Sequence, residues 1–260
     1  MVSVNRPTPA SKTSSGSKAP GAFPHTRWSL VLAATGQDAP ETAAALEALC
    51  RAYWYPLYVH VRRCGQSAHD AQDLTQAFFC RLLEKRWLES ADRERGRLRT
   101  FLLTMLKNFM CNEWRRATAQ QRGGGLAQVP FDTEFAESRY TSEPGPELAA
   151  AAAFDRQWAL TLLDLTMNRL RSEFAATGRS GDFETLKSCL TAQRGSLDYA
   201  GLGAQLGMNE GAARVAVHRL RKRFREIYRE EISQTLADKA DLDGELRHLA
   251  AALAQGTTGS

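Results

Sequence analysis

Paired cysteines, strand patterning and long apolar runs are all missing from this 260-residue sequence. No stretch approaches the roughly 18–20 consecutive apolar residues of a bilayer-spanning helix, so no membrane partner is expected. No run of alternating Val, Ile, Thr and aromatic residues is bounded by turn signals, so no sheet is expected either. The five cysteines (Cys50, Cys64, Cys80, Cys111 and Cys189) are odd in number and scattered. None has CxxC or Cys/His spacing, which excludes a zinc site and a disulfide framework and leaves them as core filler. There is no Gly-rich phosphate loop and no nucleophile motif. Asp70 and Asp73 with His69, or Glu84 with Glu113, are the acid groups an enzyme would use. No second acid–histidine pair at helical spacing completes a metal site, so no catalytic residue, metal or cofactor is expected.

The N-terminal "SVNRPTPASKTSSGSKAPGA" lacks the apolar core of a secretory signal and predicts a disordered leader over residues 1–22 and a cytoplasmic chain. Helical patterning runs from residue 23 to about 122. The Gly- and Pro-marked stretch 123–146 reads as a flexible linker. Helical patterning resumes over 147–235, and 236–260 forms a separate tail helix. The expected fold is all-α: two small helical domains on a tether.

The formal net charge of +5 is modest, but its distribution is uneven. Arg93, Arg95, Arg97, Arg99, Lys107, Arg115, Arg116 and Arg122 face only Glu94 and Glu113 in one stretch. Arg214, Arg219, Arg221, Lys222, Arg223, Arg225 and Arg229 face only Glu226 in another. Two basic stretches far apart in sequence suggest two contacts with a polyanion. Around the first, Leu98, Phe101, Leu102, Met105, Leu106 and Phe109 form the buried stripe of one helix. Its other face carries Arg99, Lys107, Asn108, Asn112, Arg115 and Arg116, with Trp114 near the end. Arginines for phosphates, amides for base edges and a ring for stacking suit a nucleic-acid strand, while a solvated helix face is the plainer alternative.

The second stretch lies in "LDYAGLGAQLGMNEGAARVAVHRLRKRFREIYREEI", which reads as a helix-turn-helix. Leu197, Leu202 and Leu206 bury one face of the first helix, Gly207 supplies the turn, and Asn209 caps the next helix. Val217, Leu220 and Phe224 continue the buried stripe. Glu210, Arg214, Val215, His218, Arg219 and Lys222 remain as the face that would meet base edges and phosphates in a major groove.

Ahead of both lies "DAQDLTQAFFCRLLEK", residues 70–85. An acidic DxxDLTQ helix, a basic "LRTFLLTMLKNFMCNEWRR" helix, a linker and a helix-turn-helix occur in that order. The whole resembles the sigma-70 family of bacterial RNA polymerase initiation factors, specifically the short extracytoplasmic-function (ECF) group that keeps regions 2 and 4. By that resemblance Asp70, Asp73, Leu74, Gln76 and Phe79 dock on the β′ clamp helices of core RNA polymerase. Region 4 would meet the β flap. Arg93, Arg95, Arg99, Lys107, Asn108, Asn112, Trp114, Arg115 and Arg116 fall in the part that captures and melts the −10 element of promoter DNA. Residues Asn209 to Lys222 match the helix that reads the −35 element.

The chain departs from the family pattern where Gln72 replaces a third acid and where Ala200 and Gly201 replace acids in the helix-turn-helix. Thr75 is a candidate site for a Ser/Thr kinase, since a phosphate beside Asp73 would restore charge. In the tail, Leu242, Leu246, Leu249 and Leu253 form a stripe that either packs on its own protein or is a regulatory helix, covering region 4 or binding a partner such as an anti-sigma factor. The competing reading is a helix-turn-helix regulator acting without polymerase, which leaves the first domain unexplained.

Overall fold

In a computed structural model of the chain, the residues described are 39–84, 97–119, 133–142, 148–193, 195–236 and 238–255. They form α-helices and short 3-10 turns with no strand among them, so the chain is all-α as expected. The helices are α1 (Ala39–Arg63), α2 (Ala68–Glu84), α3 (Leu98–Ala119), α4 (Thr133–Ser142), α5 (Ala150–Ala176), α6 (Ser180–Leu186), α7 (Tyr199–Leu206), α8 (Glu210–Ser233) and α9 (Leu242–Ala254). No helix among the described residues is long and apolar enough to cross a membrane. The leader expected over 1–22 lies outside the described residues.

Two apolar cores organise these helices. The first collects Leu49, Tyr53, Leu57 and Tyr58 of α1, Phe78, Phe79 and Leu82 of α2, and Leu98, Leu102, Leu106 and Phe109 of α3. The second holds Leu170 of α5, Phe183 and Leu186 of α6, and Val217, Leu220 and Ile227 of α8. The boundary between them differs from the sequence expectation of a tether followed by a separate domain. Phe154, Trp158 and Leu162, in the first half of α5, belong to the first core, whereas Leu170 belongs to the second. Helix α8 does the same in reverse, with Ile232 at its end reaching the first core. Both helices present an apolar stripe for longer than one small bundle needs, so each serves two cores.

The described part of the stretch expected as a linker is helical. Residues 133–142 are helix α4, and Ala136 is buried in the first core. Glu137 receives a hydrogen bond from the Tyr58 hydroxyl and pairs with Arg62, whose Nη2 lies 2.9 Å from Oε1. The guanidinium of Arg62 also covers the Tyr140 ring at 4.7 Å. A ten-residue helix is marginal in isolation, and these tertiary contacts are what hold it.

The tail packs on its own protein, and on the first core rather than on the helix-turn-helix. Leu249 and Ala252 are buried, and Leu242, Leu246 and Leu253 lean on the same cluster. Cys50 and Cys189 are buried as expected, with burial pushing the Cys50 thiol up to about 12. Cys64 and Cys111 are exposed and are not core filler.

Candidate nucleic-acid and protein-docking faces

Helix α2 is capped by Ser67. The Asp70 backbone N–H donates to Ser67 Oγ at 3.1 Å, and the Ser67 hydroxyl donates to Asp70 Oδ2 at 2.7 Å. Asp70 is thus the third helical residue, spending its carboxylate on the helix start where the dipole favours it. Asp73 is one turn on, exposed, with His69 Nε2 3.5 Å from its Oδ2. Gln76 is half-buried on the same side, and Leu74 is half-buried against the first core. Phe79 of the sequence-predicted docking set and the candidate phosphosite Thr75 do not belong to this face. Phe79 is fully buried, edge-on to Phe78, because its position falls on the apolar stripe of α2. Thr75 is also fully buried, and its hydroxyl donates to the Ala71 carbonyl at 2.7 Å. A kinase cannot reach that oxygen in the folded chain, so Thr75 is withdrawn as a modification site.

Helix α3 separates its two faces as the periodicity predicts. Leu98, Leu102, Leu106 and Phe109 are buried. Lys107, Asn108, Asn112, Trp114, Arg115 and Arg116 are all exposed, and Trp114 is 70% exposed. Steps of three and four place Thr104, Lys107, Asn108, Cys111, Asn112 and Arg115 along one stripe. Arg116 holds Glu113 at 2.7 Å, an exposed pair one turn apart that leaves the stripe basic. Arg93 and Arg95 lie outside the described residues.

Arg99 corrects the sequence reading. It is 5% exposed and turned away from that stripe. Its Nε donates to Glu245 Oε1 at 2.8 Å, its Nη2 to Glu245 Oε2 at 3.3 Å, and its Nη1 to Asp155. Arg97 Nε lies 3.1 Å from Glu245 Oε2. Glu245, Asp155 and His248 were not singled out from the sequence, and the separation of 146 positions between Arg99 and Glu245 left no local signal.

Helices α7 and α8 are joined by a tight turn with Leu197, Leu202 and Leu206 half-buried rather than buried. Asp198 caps α7, accepting from the Gly201 N–H at 3.0 Å. Gly207 ends α7 with φ of 66°, the left-handed turn that favours glycine. Asn209 caps α8, accepting from the Ala212 N–H at 2.8 Å. Gly203 allows the close crossing, since a Cβ there would sit 2.6 Å from the Met208 carbonyl oxygen. Asn209, Glu210, Arg214, Val215, His218, Arg219 and Lys222 are all exposed. Val215, at 47% exposed, is an apolar group held out to solvent in the middle of this face.

The basic run of α8 divides by role. Arg221 donates to the carbonyls of Cys189 and Ala192, closing the end of the 3-10 turn Lys187–Leu190. Arg223 pairs bidentately with Glu173 of α5 at 2.7 and 2.8 Å and holds that carboxyl below its usual range. Arg229 reaches Asp243 at 3.0 Å. Arg214 is exposed, yet leans on the Tyr199 ring at 4.5 Å and on Glu210 at 2.6 Å. His218, Arg219, Lys222 and Arg225 complete the outward positive face.

Comparison with known families bears on these faces directly. Residues 49–120, covering most of α1 and all of α2 and α3, match the model of sigma-70 region 2. No curated protein and no solved structure matches the chain. Over residues 49–120 the chain is therefore similar to sigma-70 region 2.

Proposed function

We propose that the chain, carrying a sigma-70 region 2 over residues 49–120, is a sigma factor of the ECF type with region 4 in helices α5 to α8. The observation that carries this reading is the presence in one chain of that match and a fully capped helix-turn-helix. Its recognition helix holds Val215, His218, Arg219 and Lys222 exposed. In this reading α2 offers Asp73, Gln76 and the rim of Leu74 to the β′ clamp helices of core polymerase. Asp70 contributes its remaining carboxylate charge while it holds the helix start. Region 4 meets the β flap.

On the DNA side, Lys107, Asn108, Asn112 and Arg115 follow a single strand at the −10 element. Trp114 offers an exposed ring on which a base can stack, a contact worth about 1–3 kcal/mol. Helix α8 enters the major groove at the −35 element, with Asn209 and Glu210 at its N-terminal end, Arg214, Val215 and His218 toward base edges, and Arg219 and Lys222 toward phosphates. Polymerase supplies the chemistry. The work is in the bacterial cytoplasm, and an anti-sigma protein is the class of regulator that fits.

Mixing the purified protein with core RNA polymerase tests this reading. Co-elution and promoter-dependent run-off transcription are expected, and Asp73→Arg is expected to lower co-elution at least about tenfold while leaving the fold intact. Tight duplex binding without co-elution or run-off would favour the plain helix-turn-helix regulator instead.

A further inference from the structure

The tail helix does more than cover apolar surface. Glu245 is 1% exposed, and both its oxygens are taken by the guanidiniums of Arg97 and Arg99. A carboxylate held by two arginines has the geometry and charge of a phosphodiester held the same way, since planar guanidinium forks accept either oxyanion. The two arginines open the helix whose outer face is basic, amide-bearing and tipped by Trp114.

We propose that Arg97 and Arg99 form a binding site for a single-stranded DNA phosphate, and that Glu245 occupies this site in the free protein as an internal competitor. The proposal rests on reading α3 as a DNA-facing helix. It adds Arg97 as a phosphate-binding residue, gives Arg99 that role only once Glu245 has left, and supplies a means of masking both.

The groups around the site are balanced in the closed state. Glu245 and Asp155 face Arg97 and Arg99, while His248 Nε2 sits 2.9 Å from Asp155 Oδ2 and Tyr228 lies close enough to feel the Glu245 charge. Removing the Glu245 carboxylate leaves two guanidiniums against Asp155 alone, a net positive pocket at the start of α3. A buried ion pair of this kind adds little stability over an apolar pair of the same shape, so stability alone is a weak reason for it. A carboxylate is, however, what a phosphate can displace.

The hold on α9 is also modest enough to be released. The helix has 13 residues, too short to persist alone, and of its apolar groups only Leu249 is fully buried and Ala252 nearly so. The polar contacts that add to this hold are the Leu98 N–H to Thr235 carbonyl bond at 3.3 Å, the exposed Arg229–Asp243 pair at 3.0 Å and the His248–Asp155 contact at 2.9 Å. Undocking of α9 frees the Arg97 and Arg99 guanidiniums at the cost of exposing Leu249 and its neighbours, and removes nothing from the second core.

Binding of a fluorescein-labelled single-stranded oligonucleotide to the full chain, followed by anisotropy, tests the proposal without polymerase. Glu245→Gln is expected to tighten binding about tenfold and to steepen the salt dependence by about 0.7 in log–log slope, as one more phosphate is neutralised. Adding Arg99→Gln to that variant is expected to return both to the starting values. Because a variant at a buried charge can misfold, hydrogen exchange on the unaltered protein gives a second reading. Amides of residues 242–254 are expected to lose protection when the oligonucleotide binds. A folded Glu245→Gln chain that binds no more tightly, or α9 amides equally protected with and without DNA, would overturn the proposal. If instead the unaltered chain fails to co-elute with polymerase while these DNA results hold, the sigma reading fails and the masked phosphate site stands.

Discussion

The indole of Trp158 lies flat on the ring of Tyr53, with centroids 4.3 Å apart and planes 13° from parallel. Both residues are fully buried. Tyr53 belongs to the segment that matches sigma-70 region 2, and Trp158 lies well beyond its end. The core built on the matched segment is therefore completed by α5, which then runs on into the second core. A helix shared in this way couples the two halves mechanically, and α8 repeats the arrangement with Ile232.

The first prediction follows from that stack. Trp158→Ala removes one of the largest fully buried side chains and leaves a cavity against Tyr53, Phe154 and Leu162. A loss of about 3–5 kcal/mol is expected. Because α5 and α8 contribute to both cores, urea unfolding followed by circular dichroism should remain a single transition at a lower midpoint. Two separated transitions would show that the cores melt independently.

A second prediction concerns Gly203. An added Cβ there would meet the backbone of Met208 at 2.6 Å and of Asn209 at 3.2 Å, and backbone cannot swing aside as a side chain can. Gly203→Ala is expected to lower stability by about 1–3 kcal/mol and to weaken duplex DNA binding by displacing α8 from its crossing. Gly181→Ala is the matched control, since nothing lies within 4 Å of its Cβ position. That variant should be neutral or gain a few tenths of a kcal/mol from helix propensity, read by thermal melts of the two proteins side by side.

Thr75 supplies a third. Thr75→Val keeps the shape and loses one hydrogen bond to the Ala71 carbonyl, so a change of about 1 kcal/mol is expected. Thr75→Glu forces a longer, charged side chain into a fully buried position and should cost about 3 kcal/mol or more. Thermal melts rank the two. A Thr75→Glu protein as stable as the parent would mean that this face of α2 opens readily and would restore the residue as a modification site.

How much was legible in the sequence depended on how local the determining contact is. The α8 cap, the Gly207 turn and the α3 stripe are set by neighbours within a turn or two, so side-chain type and spacing reveal them. The fate of Arg99 is set by Glu245 and Asp155, 146 and 56 positions away, and an arginine at that spacing reads equally well as a DNA contact. Phe79 was assigned to a docking face by resemblance to a motif, and Thr75 was read as open to a kinase beside Asp73, although position on the α2 stripe puts both inside. The helix at 133–142 was missed because its composition is weakly helical and its stability comes from Arg62, Tyr58 and Glu137 meeting across the fold.

The last prediction is a pH dependence arising at His60. This ring is buried, its Nδ1–H donates to the Ala150 carbonyl at 3.0 Å, and its Nε2 lies 3.7 Å from Cys64 Sγ. Burial lowers its pKa from the usual 6.5, the Ala150 carbonyl partly opposes that shift, and Lys107 adds to it. The unfolded chain therefore takes up a proton on this residue before the folded chain does. Stability from the neutral ring is fully present above about pH 6.5 and is lost as pH falls through the window below it. Glu173, held low by Arg223, adds a second loss further down, below its usual 4.5. Urea titrations between about pH 8 and about pH 5 should show stability falling only in the lower part of that range. His60→Asn places an amide donor near the Nδ1 position and removes the titrating ring. It should be less stable at neutral pH and nearly flat across the same range, and an unchanged slope would assign the acid sensitivity to another group.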